Sequence, residues 1–466
     1  MLIESPTMDR ARLPGYVRLA RRIVYERKRT EPEVLWFDIP EAYAESLTGV
    51  GDGWLVALLP LALRMKEPLR LDASVDAGLL RNTEALMNIW ARWYSEYPAV
   101  PIEVESEHTP PPRPGAGTGL FFTGGIDSFY SLMHYDGEAE RDRRPRVEDL
   151  LYIWGYDLPL DNEPAFHRKA KALTEVAARL DRRAITMATN LRQTRLATLD
   201  WAKVTHGAAL GAAALMLEGR LATVLLSAAL ARDATESFGA HPLTDRLMST
   251  SRTTFVHYGA EATRFEKAEF IVGSEVVRQY LHVCWEDASD RNCGRCEKCF
   301  RTQMTLDLLG CREQAPCFDI AAYSLAHADR VVLGSRATAR LMEDLRAPAQ
   351  ARGRLDVLAA IDICLEADRR RNGTSGAARW RRRRRRWRES FQRRWLSGRA
   401  SAKYWLVTLA VIGFVLFQIS DCWLEPDLAA GSESPTAAPT SRASSPGPVT
   451  RPSSPAAPVS PAGGGA

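Results

Sequence analysis

The 466-residue sequence contains no G-K-[ST] tripeptide, which excludes a phosphate site of the Walker A kind. Its first 30 residues lack the apolar run of a secretory signal peptide and are rich in arginine. Cysteine is scarce, with eight residues, and four of them fall within one stretch of sixteen, so a framework of disulfide bonds is not expected. These absences lead us to expect a cytoplasmic protein.

What the sequence does contain is unevenly distributed. Apolar residues make up 45% of the chain, a normal value for a globular protein, and the length allows more than one domain. The net charge of +5 hides a strip, residues 379–403, that carries +11, and a tail after residue 420 that carries −2. The remainder carries −4, so the expected globular body is mildly acidic.

One stretch, residues 120–133, has the pattern of an anion site. It reads LFFTGGIDSFYSLM: an apolar run typical of a buried strand, a glycine turn, and a segment with helical spacing. Gly124 and Gly125 carry no Cβ, so the backbone can approach a phosphate closely. The first amides of the helix have no partner within it and favour an anion, and Thr123 and Ser128 add hydroxyl groups.

Asp127 is compatible with two interpretations of this loop. Its carboxylate would repel a bare phosphate, so it fits best beside Mg2+ or as a cap on the helix. The same residues are also compatible with an ordinary glycine turn capped by Asp127, and the loop alone favours neither interpretation.

A second signal is the cysteine cluster. Cys284, Cys293, Cys296 and Cys299 have the spacing C-x8-C-x2-C-x2-C, and four thiolates at this spacing can close a tetrahedral Zn2+ site. Disulfides and scattered buried thiols are the alternatives: disulfides fit poorly with the intracellular features of the chain, and scattered thiols would not place four of eight cysteines within sixteen residues. Four cysteine ligands leave no open coordination position, so the predicted role of the metal is structural.

Together the two motifs resemble a known family. TGGIDS resembles the [ST]-G-G-x-D-S signature of the PP-loop ATP pyrophosphatases, and a PP-loop followed by this cysteine spacing resembles 7-cyano-7-deazaguanine synthase and its relatives. The resemblance covers about residues 119–302 and is closest to a branch with an extra N-terminal domain. Two departures from the family pattern stand out. Thr123 stands where the family more often has serine, and residues 237–245 stand where 7-cyano-7-deazaguanine synthase has the segment that recognises base and substrate.

The resemblance implies an ATP-dependent ligase that cleaves ATP to AMP and pyrophosphate and so activates a carboxylate-type substrate. It implies ATP, Mg2+ and Zn2+ as cofactors, and a small molecule or a protein terminus as acceptor. The amides of Gly124, Gly125 and Ile126 and the Ser128 hydroxyl would bind pyrophosphate, with Asp127 on Mg2+. The fold expected is that of the adenine nucleotide alpha hydrolases.

Strands and helices alternate from residue 120 to about residue 230, which predicts a parallel sheet with helices on both faces. Ligands of such sheets bind beyond the carboxyl ends of the strands. Polar side chains at these predicted ends are candidate nucleotide contacts: Thr123, Asp157, Asn190, Arg192 and Ser227. Asp157 could equally do no more than cap a turn.

The segment TRFEKAEFI resembles the part of the family that carries a lysine toward the phosphates. It holds Arg264 and Lys267, of which the resemblance favours Lys267 as the catalytic cation. The alternative is a solvated helix face, because Glu266 and Glu269 lie in the same segment.

Composition divides the chain into six parts. We predict a small α+β domain at 1–114, a PP-loop domain at 115–280, a zinc-binding and helical lobe at 281–370, a basic linker at 371–403, a possible transmembrane helix at 404–420, and a disordered tail rich in proline, serine and alanine at 421–466. The sequence leaves the oligomeric state open.

The basic strip and the apolar span that follows it suggest a membrane contact. Residues 404–420 contain no charge, and at 1.5 Å per residue they would span roughly 26 Å, close to the thickness of a bilayer core. The preceding arginines favour an anchor with its basic side in the cytoplasm, near anionic lipid. A buried helix is the alternative for this span.

Two other functional classes compete with the ligase. The arginine strip with its tryptophans, together with a zinc knuckle, would suit a nucleic-acid-binding protein, although the adjoining apolar span fits lipid headgroups better. A nucleotide-binding scaffold without catalysis is the second rival, and the presence of Asp127 and Ser128 argues against it.

Overall fold

The structure is a computed structural model that describes residues 1–27, 30–230, 237–284 and 291–372. All of these belong to one compact unit, Met1–Ser390, while a second unit, Phe391–Ala466, lies outside the described residues. The basic strip, the apolar span and the tail predicted above therefore also lie outside them.

The described strands form one sheet of eleven members. They are β1 (Leu2–Ile3), β2 (Thr7–Arg10), β3 (Tyr16–Val24), β4 (Glu33–Pro40), β5 (Leu69–Asp76), β6 (Ile102–His108), β7 (Gly117–Phe121), β8 (Val147–Trp154), β9 (Arg183–Thr189), β10 (Leu221–Ser227) and β11 (Thr254–Tyr258). Their order is β11-β10-β7-β8-β9-β4-β3-β1-β5-β6, with β2 paired to β3.

Twelve α-helices accompany the sheet within the described ranges. They are α1 (Asp52–Met65), α2 (Ala77–Trp93), α3 (Ile126–Asp142), α4 (Glu163–Arg179), α5 (His206–Leu215), α6 (Pro242–Asp245), α7 (Arg264–Ile271), α8 (Glu275–Tyr280), α9 (Glu297–Leu308), α10 (Arg336–Glu343), α11 (Arg346–Ala351) and α12 (Leu355–Asn372). A single π-helical turn, Trp201–Thr205, leads into α5.

The five strands β7 to β11 are parallel and lie in the order β9-β8-β7-β10-β11. Counted along the chain this is 3-2-1-4-5, the order of a doubly wound sheet, in which the connections leave β7 and β10 in opposite directions. The crevice that opens between these connections is where such sheets bind ligands. The loop Thr123–Gly125 therefore emerges at the expected ligand-binding edge.

Alternate residues of the central strands face two different cores, because successive side chains of a strand point to opposite faces. Phe121, Leu151 and Ile153 pack with α1, α2 and α5, whereas Leu120 and Leu150 pack with α3 and α4. Both faces of the sheet are thus covered, and the α/β class is confirmed.

Strands β7 to β11 are parallel as expected, but the sheet as a whole is mixed. Strand β4 pairs antiparallel with β9, with Phe37 opposite Thr189 and Asp38 opposite Ala188. Through this pair the strands of residues 1–114 extend the sheet of the PP-loop region. The domain boundary near residue 114 stays a prediction, since the strands on its two sides share one sheet.

A third core joins the cysteine-bearing helix to the helices that follow it. Phe265 of α7 packs with Phe300 and Met304 of α9, and α10 to α12 complete this cluster. The contact between α7 and α9 matters for the site, because both helices carry basic side chains.

The prediction of a transmembrane helix is corrected by this structure, while the predicted contact with an anionic membrane surface stays a prediction. Among residues 1–27, 30–230, 237–284 and 291–372, no helix is both long enough and apolar enough to cross a bilayer. The segment that prompted the prediction, 404–420, lies outside the described residues.

Candidate active site and metal centre

The glycine loop is shaped by two backbone conformations. Gly124 has a φ of +75°, in the left-handed region that favours glycine, and Gly125 is extended and directly precedes α3. A Cβ on Gly124 would lie 3.5 Å from the carbonyl oxygen of Tyr280. The left-handed φ, more than crowding, therefore explains the glycine at 124.

Asp127, in the first turn of α3, lies between two cations. Its Oδ2 accepts a hydrogen bond from Arg264 Nη1 at 2.8 Å, and its Oδ1 accepts one from Lys267 Nζ at 3.4 Å. Burial by itself would raise the pKa of Asp127, but Arg264 and Lys267 outweigh it and hold the pKa below its usual value. The residue is thus a carboxylate, with 17% of its side chain exposed.

The two cations differ in how firmly they are held. Lys267 is 2% exposed, and its Nζ also donates to the carbonyl oxygen of Ala228, directly after β10, at 2.7 Å. Arg264 is 13% exposed, and its Nε is buried with no hydrogen-bond partner among the described residues. Arg264 is consequently the freer of the two to reorient toward a ligand.

Both cations project from a helix whose start is fixed locally. Thr263 and Glu266 form a capping box at the beginning of α7, each satisfying a backbone amide of the other. Glu266, which suggested a solvated helix face in the sequence, therefore caps α7 and leaves Arg264 and Lys267 to face Asp127.

Lys169 is a third cation at the loop, which sequence reasoning missed. It lies on α4, is 7% exposed, and its Nζ donates to the carbonyl oxygen of Thr123 at 2.7 Å. No motif marks it, because it is one of two lysines in a helix with ordinary amphipathic spacing. Only the packing of α4 over β8 and β9 brings it to the loop.

The remaining loop residues are placed as follows. Thr123 is exposed, whereas Ser128 is buried and its Oγ donates to the carbonyl oxygen of Gly125 at 3.0 Å. The Ile126 side chain belongs to the core beneath α3. In this arrangement Ser128 stabilises the turn, and Ile126 has only its backbone amide to offer a ligand.

Two residues that were predicted to contact a nucleotide are hydrogen-bonded to other parts of the protein. Asn190 Oδ1 accepts from the amide of Trp36 at 2.9 Å, and its Nδ2 donates to the carbonyl oxygen of Val34 at 2.8 Å, so its side chain ties β9 to β4. Arg192 donates to the carbonyl oxygen of Tyr156 and lies 4.7 Å above the centre of the Trp201 ring. Neither contact involves the glycine loop.

Asp157 and Ser227 lie at strand ends, as expected. Ser227 ends β10, and its buried Oγ has no hydrogen-bond partner within the part of the chain that the structure describes. Asp157 is exposed and belongs to a charged group with His206 and Lys298. Burial lowers the pKa of His206, and Asp157 and Asp245 oppose that shift.

The four cysteines form a compact cluster. Their sulfur atoms all lie within 4.8 Å of one another, and the Cys284–Cys296 and Cys293–Cys299 pairs are both 3.9 Å apart. Tetrahedral zinc with Zn–S bonds of 2.3 Å needs sulfurs about 3.8 Å apart, so the cluster could hold a metal ion such as zinc.

The backbone prepares this geometry. Gly294 has a φ of +73°, which turns the chain so that Cys293 Sγ accepts the amide of Cys296 at 3.3 Å. Cys296 in turn caps α9 by accepting the amide of Cys299. These amide–sulfur contacts suit thiolate ligands, which accept but do not donate.

A short segment connects the cluster to the glycine loop. The amide of His282 donates to the carbonyl oxygen of Gly124 at 2.8 Å, two residues before the ligand Cys284. Asn292 fixes the same segment, since its Oδ1 accepts the amides of Val283 and Cys284 and its Nδ2 donates to Leu281. The cysteine cluster therefore supports the loop directly.

Helix α9, which starts at the cluster, adds two more basic residues that sequence reasoning missed. Arg301 Nε donates to Glu297 Oε1 at 2.7 Å, and both side chains are nearly fully buried. Burial lowers the pKa of Arg301 and of Lys298, and nearby Arg264 lowers both further. The site thus gathers more positive than negative side chains.

The chain was compared with family models, with curated proteins and with solved structures, and none of them matches it. Fold and site together define an α/β protein with a glycine loop at the start of α3 and a four-cysteine cluster that could hold a metal ion.

Proposed function

We propose that this protein is an ATP-dependent ligase of the PP-loop type, which cleaves ATP to AMP and pyrophosphate and thereby adenylates an acceptor. The fold proposed with it is that of the adenine nucleotide alpha hydrolases, and the overall chemistry is like that of 7-cyano-7-deazaguanine synthase. The acceptor is a small molecule or a protein terminus that presents a carboxylate-type oxygen.

One observation carries the proposal. At the edge of a 3-2-1-4-5 sheet, a left-handed glycine turn leads into a helix whose first-turn carboxylate, Asp127, is paired with Arg264 and Lys267. A glycine turn capped only by Asp127 would not require two nearly buried cations around the carboxylate. A polyphosphate with its metal ion would use all three charges.

The roles of the residues follow from their positions. Backbone amides from Gly125 to Asp127 lie at the start of α3 and would stabilise the negative charge that develops on the leaving pyrophosphate. Arg264, which has a free Nε, would turn from Asp127 to the phosphates. Asp127 would then be available as a ligand of Mg2+, which neutralises phosphate charge when bound.

Lys267 and Lys169 would act differently. Lys267 is fixed by the carbonyl oxygen of Ala228, so it would supply positive charge to the phosphates from a constant position. Lys169 holds the Thr123 carbonyl and so positions the loop. Zinc in the cysteine cluster would have a structural role, because four thiolates leave no open position for chemistry.

The decisive experiment is an analysis of the products formed from ATP labelled at the α- and γ-phosphates, with carboxylic acids and amines supplied as acceptors. AMP and pyrophosphate are the expected products, in equal amounts. Formation of ADP and orthophosphate would contradict the proposal, because it would place the cleavage at the γ-phosphate.

A nucleotide-binding scaffold without catalysis remains the second candidate. The observation that favours it is the hydrogen bond from Ser128 Oγ to the carbonyl oxygen of Gly125, which engages a predicted catalytic hydroxyl group within the turn. The two candidates differ in one measurement: the scaffold binds ATP at the loop but forms no AMP with any acceptor, whereas the ligase does both.

A further inference from the structure

A cavity at the other edge of the parallel strands has no part in the proposed function. Its volume is about 380 Å³, and four strand starts contribute to its wall. Gly117 begins β7, Glu148 is the second residue of β8, Arg183 begins β9 and Arg220 directly precedes β10. Because β7 leads from this wall to the glycine loop, its length of roughly 13 Å separates the two places.

The charged side chains of this wall are mostly positive. Arg113, Arg183 and Arg220 line the cavity together with one carboxylate, Glu148. Asp149 is fully buried and pairs with both Arg183 and Arg220, whose Nε atoms each lie 2.8 Å from one of its oxygens. Even with Asp149 counted, three positive charges face two negative ones, so this group of side chains keeps an excess positive charge.

Each of the three arginines keeps a donor that the protein does not use. Arg183 and Arg220 each donate to acids through Nε and Nη2, and Nη1 of both has no hydrogen-bond partner among the residues that the structure describes. Arg113 donates only through Nη1, to the carbonyl oxygen of Gly219 at 2.6 Å. Within the described ranges no acid pairs with Arg113, so the excess charge of the group belongs to this residue.

Two glycines allow these groups to come close together. A Cβ on Gly219 would lie 2.5 Å from Arg113 Nη1, and a Cβ on Gly117 would lie 3.1 Å from the carboxylate of Glu148. The amide of Gly117 donates to the carbonyl oxygen of Arg220 at 2.8 Å, which joins the start of β7 to the start of β10. The turn that carries Arg113 is thereby held beside Arg220.

An ion-pair network that only joined the strands would not need Arg113. Asp149 already balances the arginines before β10 and at the start of β9, whereas Arg113 adds a third guanidinium that these repel. A phosphate group would offset this repulsion, since a phosphate monoester carries about −1.5 to −2 charges at pH 7. The planar fork of N–H donors on a guanidinium also matches the geometry of phosphate oxygens.

We propose that this cavity binds the phosphate group of a small ligand, with Arg113, Arg183 and Arg220 as its contacts. The proposal is independent of the ATP chemistry, because it uses none of the residues around the glycine loop. The cavity lies at the lower end of the range for ligand pockets, about 300–1,000 Å³, and is larger than a bare phosphate needs. Glu148 Oε1, which has no partner in the described part of the chain, would accept a hydroxyl group of the ligand. We therefore expect a sugar phosphate to bind more tightly than inorganic phosphate.

The test is a calorimetric titration of the full chain in chloride buffer without ATP or Mg2+. The probes are inorganic phosphate and ribose 5-phosphate, and ribose is the neutral control. We expect saturable binding of both phosphates, tighter for ribose 5-phosphate, and no binding of ribose. Equal affinity for the two phosphates would identify free phosphate as the ligand.

Arg113→Gln is the main variant, because its loss leaves no acid unpaired. It should weaken the binding of both phosphates about tenfold or more, as expected for one charge-assisted contact. Glu148→Gln should act in the opposite direction and tighten the binding of inorganic phosphate about threefold, since it removes a negative charge from the wall but keeps an acceptor for Arg183. Damage to the fold would not produce these opposite signs.

Arg141→Gln is the matched control. Arg141 is an exposed arginine of α3 whose Nε donates to the carbonyl oxygen of Gly137 at 3.3 Å, so its substitution also removes one surface charge and one bond to a backbone carbonyl. It should change neither affinity.

Three results would overturn the phosphate site: wild-type protein that binds neither phosphate, Arg113→Gln that binds both as well as wild type, or Glu148→Gln that binds inorganic phosphate more weakly. Loss of binding in Arg264→Gln, with no change in Arg113→Gln, would place the phosphate at the glycine loop and refute the cavity as its site. Failure of the proposed function looks different, because it would appear in the products formed from ATP, which these titrations do not contain.

Discussion

The cysteine cluster and the glycine loop are both short motifs, but only the cysteine cluster contains all the residues of its candidate site. The four sulfurs of the cluster come from sixteen consecutive residues and lie within 4.8 Å of one another. The loop supplies backbone amides and Asp127, while its cations come from α4, α7 and α9, as far as 174 residues away in sequence. The sulfur atoms of a possible metal site are thus supplied by one short segment, whereas the charged side chains around the glycine loop are brought together by the whole fold.

The largest effect is expected from the metal centre. Cys296→Ser should remove about one zinc per chain and destabilise the surrounding lobe, because metal binding at such sites contributes on the order of 10 kcal/mol to folding. Metal analysis and thermal unfolding measure both quantities. Cys317→Ala is the control, since that thiol lies outside the cluster, and it should keep the metal.

The same variant tests whether the two motifs are coupled. Because the amide of His282 bonds the Gly124 carbonyl two residues before Cys284, loss of metal should raise hydrogen exchange of the loop amides as well. Normal metal content and stability in a variant with all four cysteines replaced by serine would refute the metal centre altogether.

Asp127→Asn should give the next largest effect. If Asp127 holds Mg2+ for the reaction, formation of AMP should fall about 100-fold or more, as for loss of one group that stabilises transition-state charge. Binding of pyrophosphate without metal should not weaken, because the substitution removes a negative charge next to Arg264 and Lys267. This combination separates a catalytic role from simple unfolding.

Asp142→Asn is the matched control for that experiment. Asp142 is the last residue of α3, with 63% of its side chain exposed, and its loss should affect neither turnover nor pyrophosphate affinity. Full activity of Asp127→Asn would contradict the assigned role and leave the ion pairs with Arg264 and Lys267, which join α3 to α7, as the function of Asp127.

How much of this could be predicted from sequence depends on how local each feature is. The loop, the alternation of strands and helices after residue 120, and the cysteine cluster all depend on short-range pattern, and the structure contains each of them. Lys169, Lys298 and Arg301 lack such a pattern, because only the packing of α4 and α9 against the loop distinguishes them from other basic residues.

Asn190 shows the opposite difficulty. It was predicted to contact nucleotide because it follows β9, where a parallel sheet gathers polar side chains. The sequence did not show that β4, from the N-terminal part, pairs with β9. The side-chain amide of Asn190 takes part in this pairing, because it bonds to the backbone of Trp36 and Val34. Long-range strand pairing therefore limited how much of the fold and of the site could be predicted from the sequence.

Gly124→Ala should have a moderate effect, confined to the loop. Forcing alanine to a φ of +75° costs about 1–2 kcal/mol of stability, and relaxing that strain would move the amides that follow. We expect a lower unfolding temperature and weaker binding of ATP. Gly137→Ala, inside α3 with open space around its Cβ position, should instead stabilise by about 0.5–1 kcal/mol and leave ATP binding unchanged.

The smallest effect on the reaction is expected from Asn190→Ala, which separates a structural role from nucleotide binding. The substitution leaves the amide of Trp36 and the carbonyl of Val34 without their side-chain partner, at a cost of about 1–3 kcal/mol in the free energy of unfolding. Because these bonds join β4 to β9 and do not reach the glycine loop, the affinity for ATP should stay within about twofold, a difference of roughly 0.4 kcal/mol. Denaturant unfolding and ATP titration of the same preparation measure the two quantities. A large loss of ATP affinity with unchanged stability would support the original prediction that Asn190 contacts the nucleotide. It would also mean that the Asn190 side chain breaks its hydrogen bonds with β4 when ATP binds.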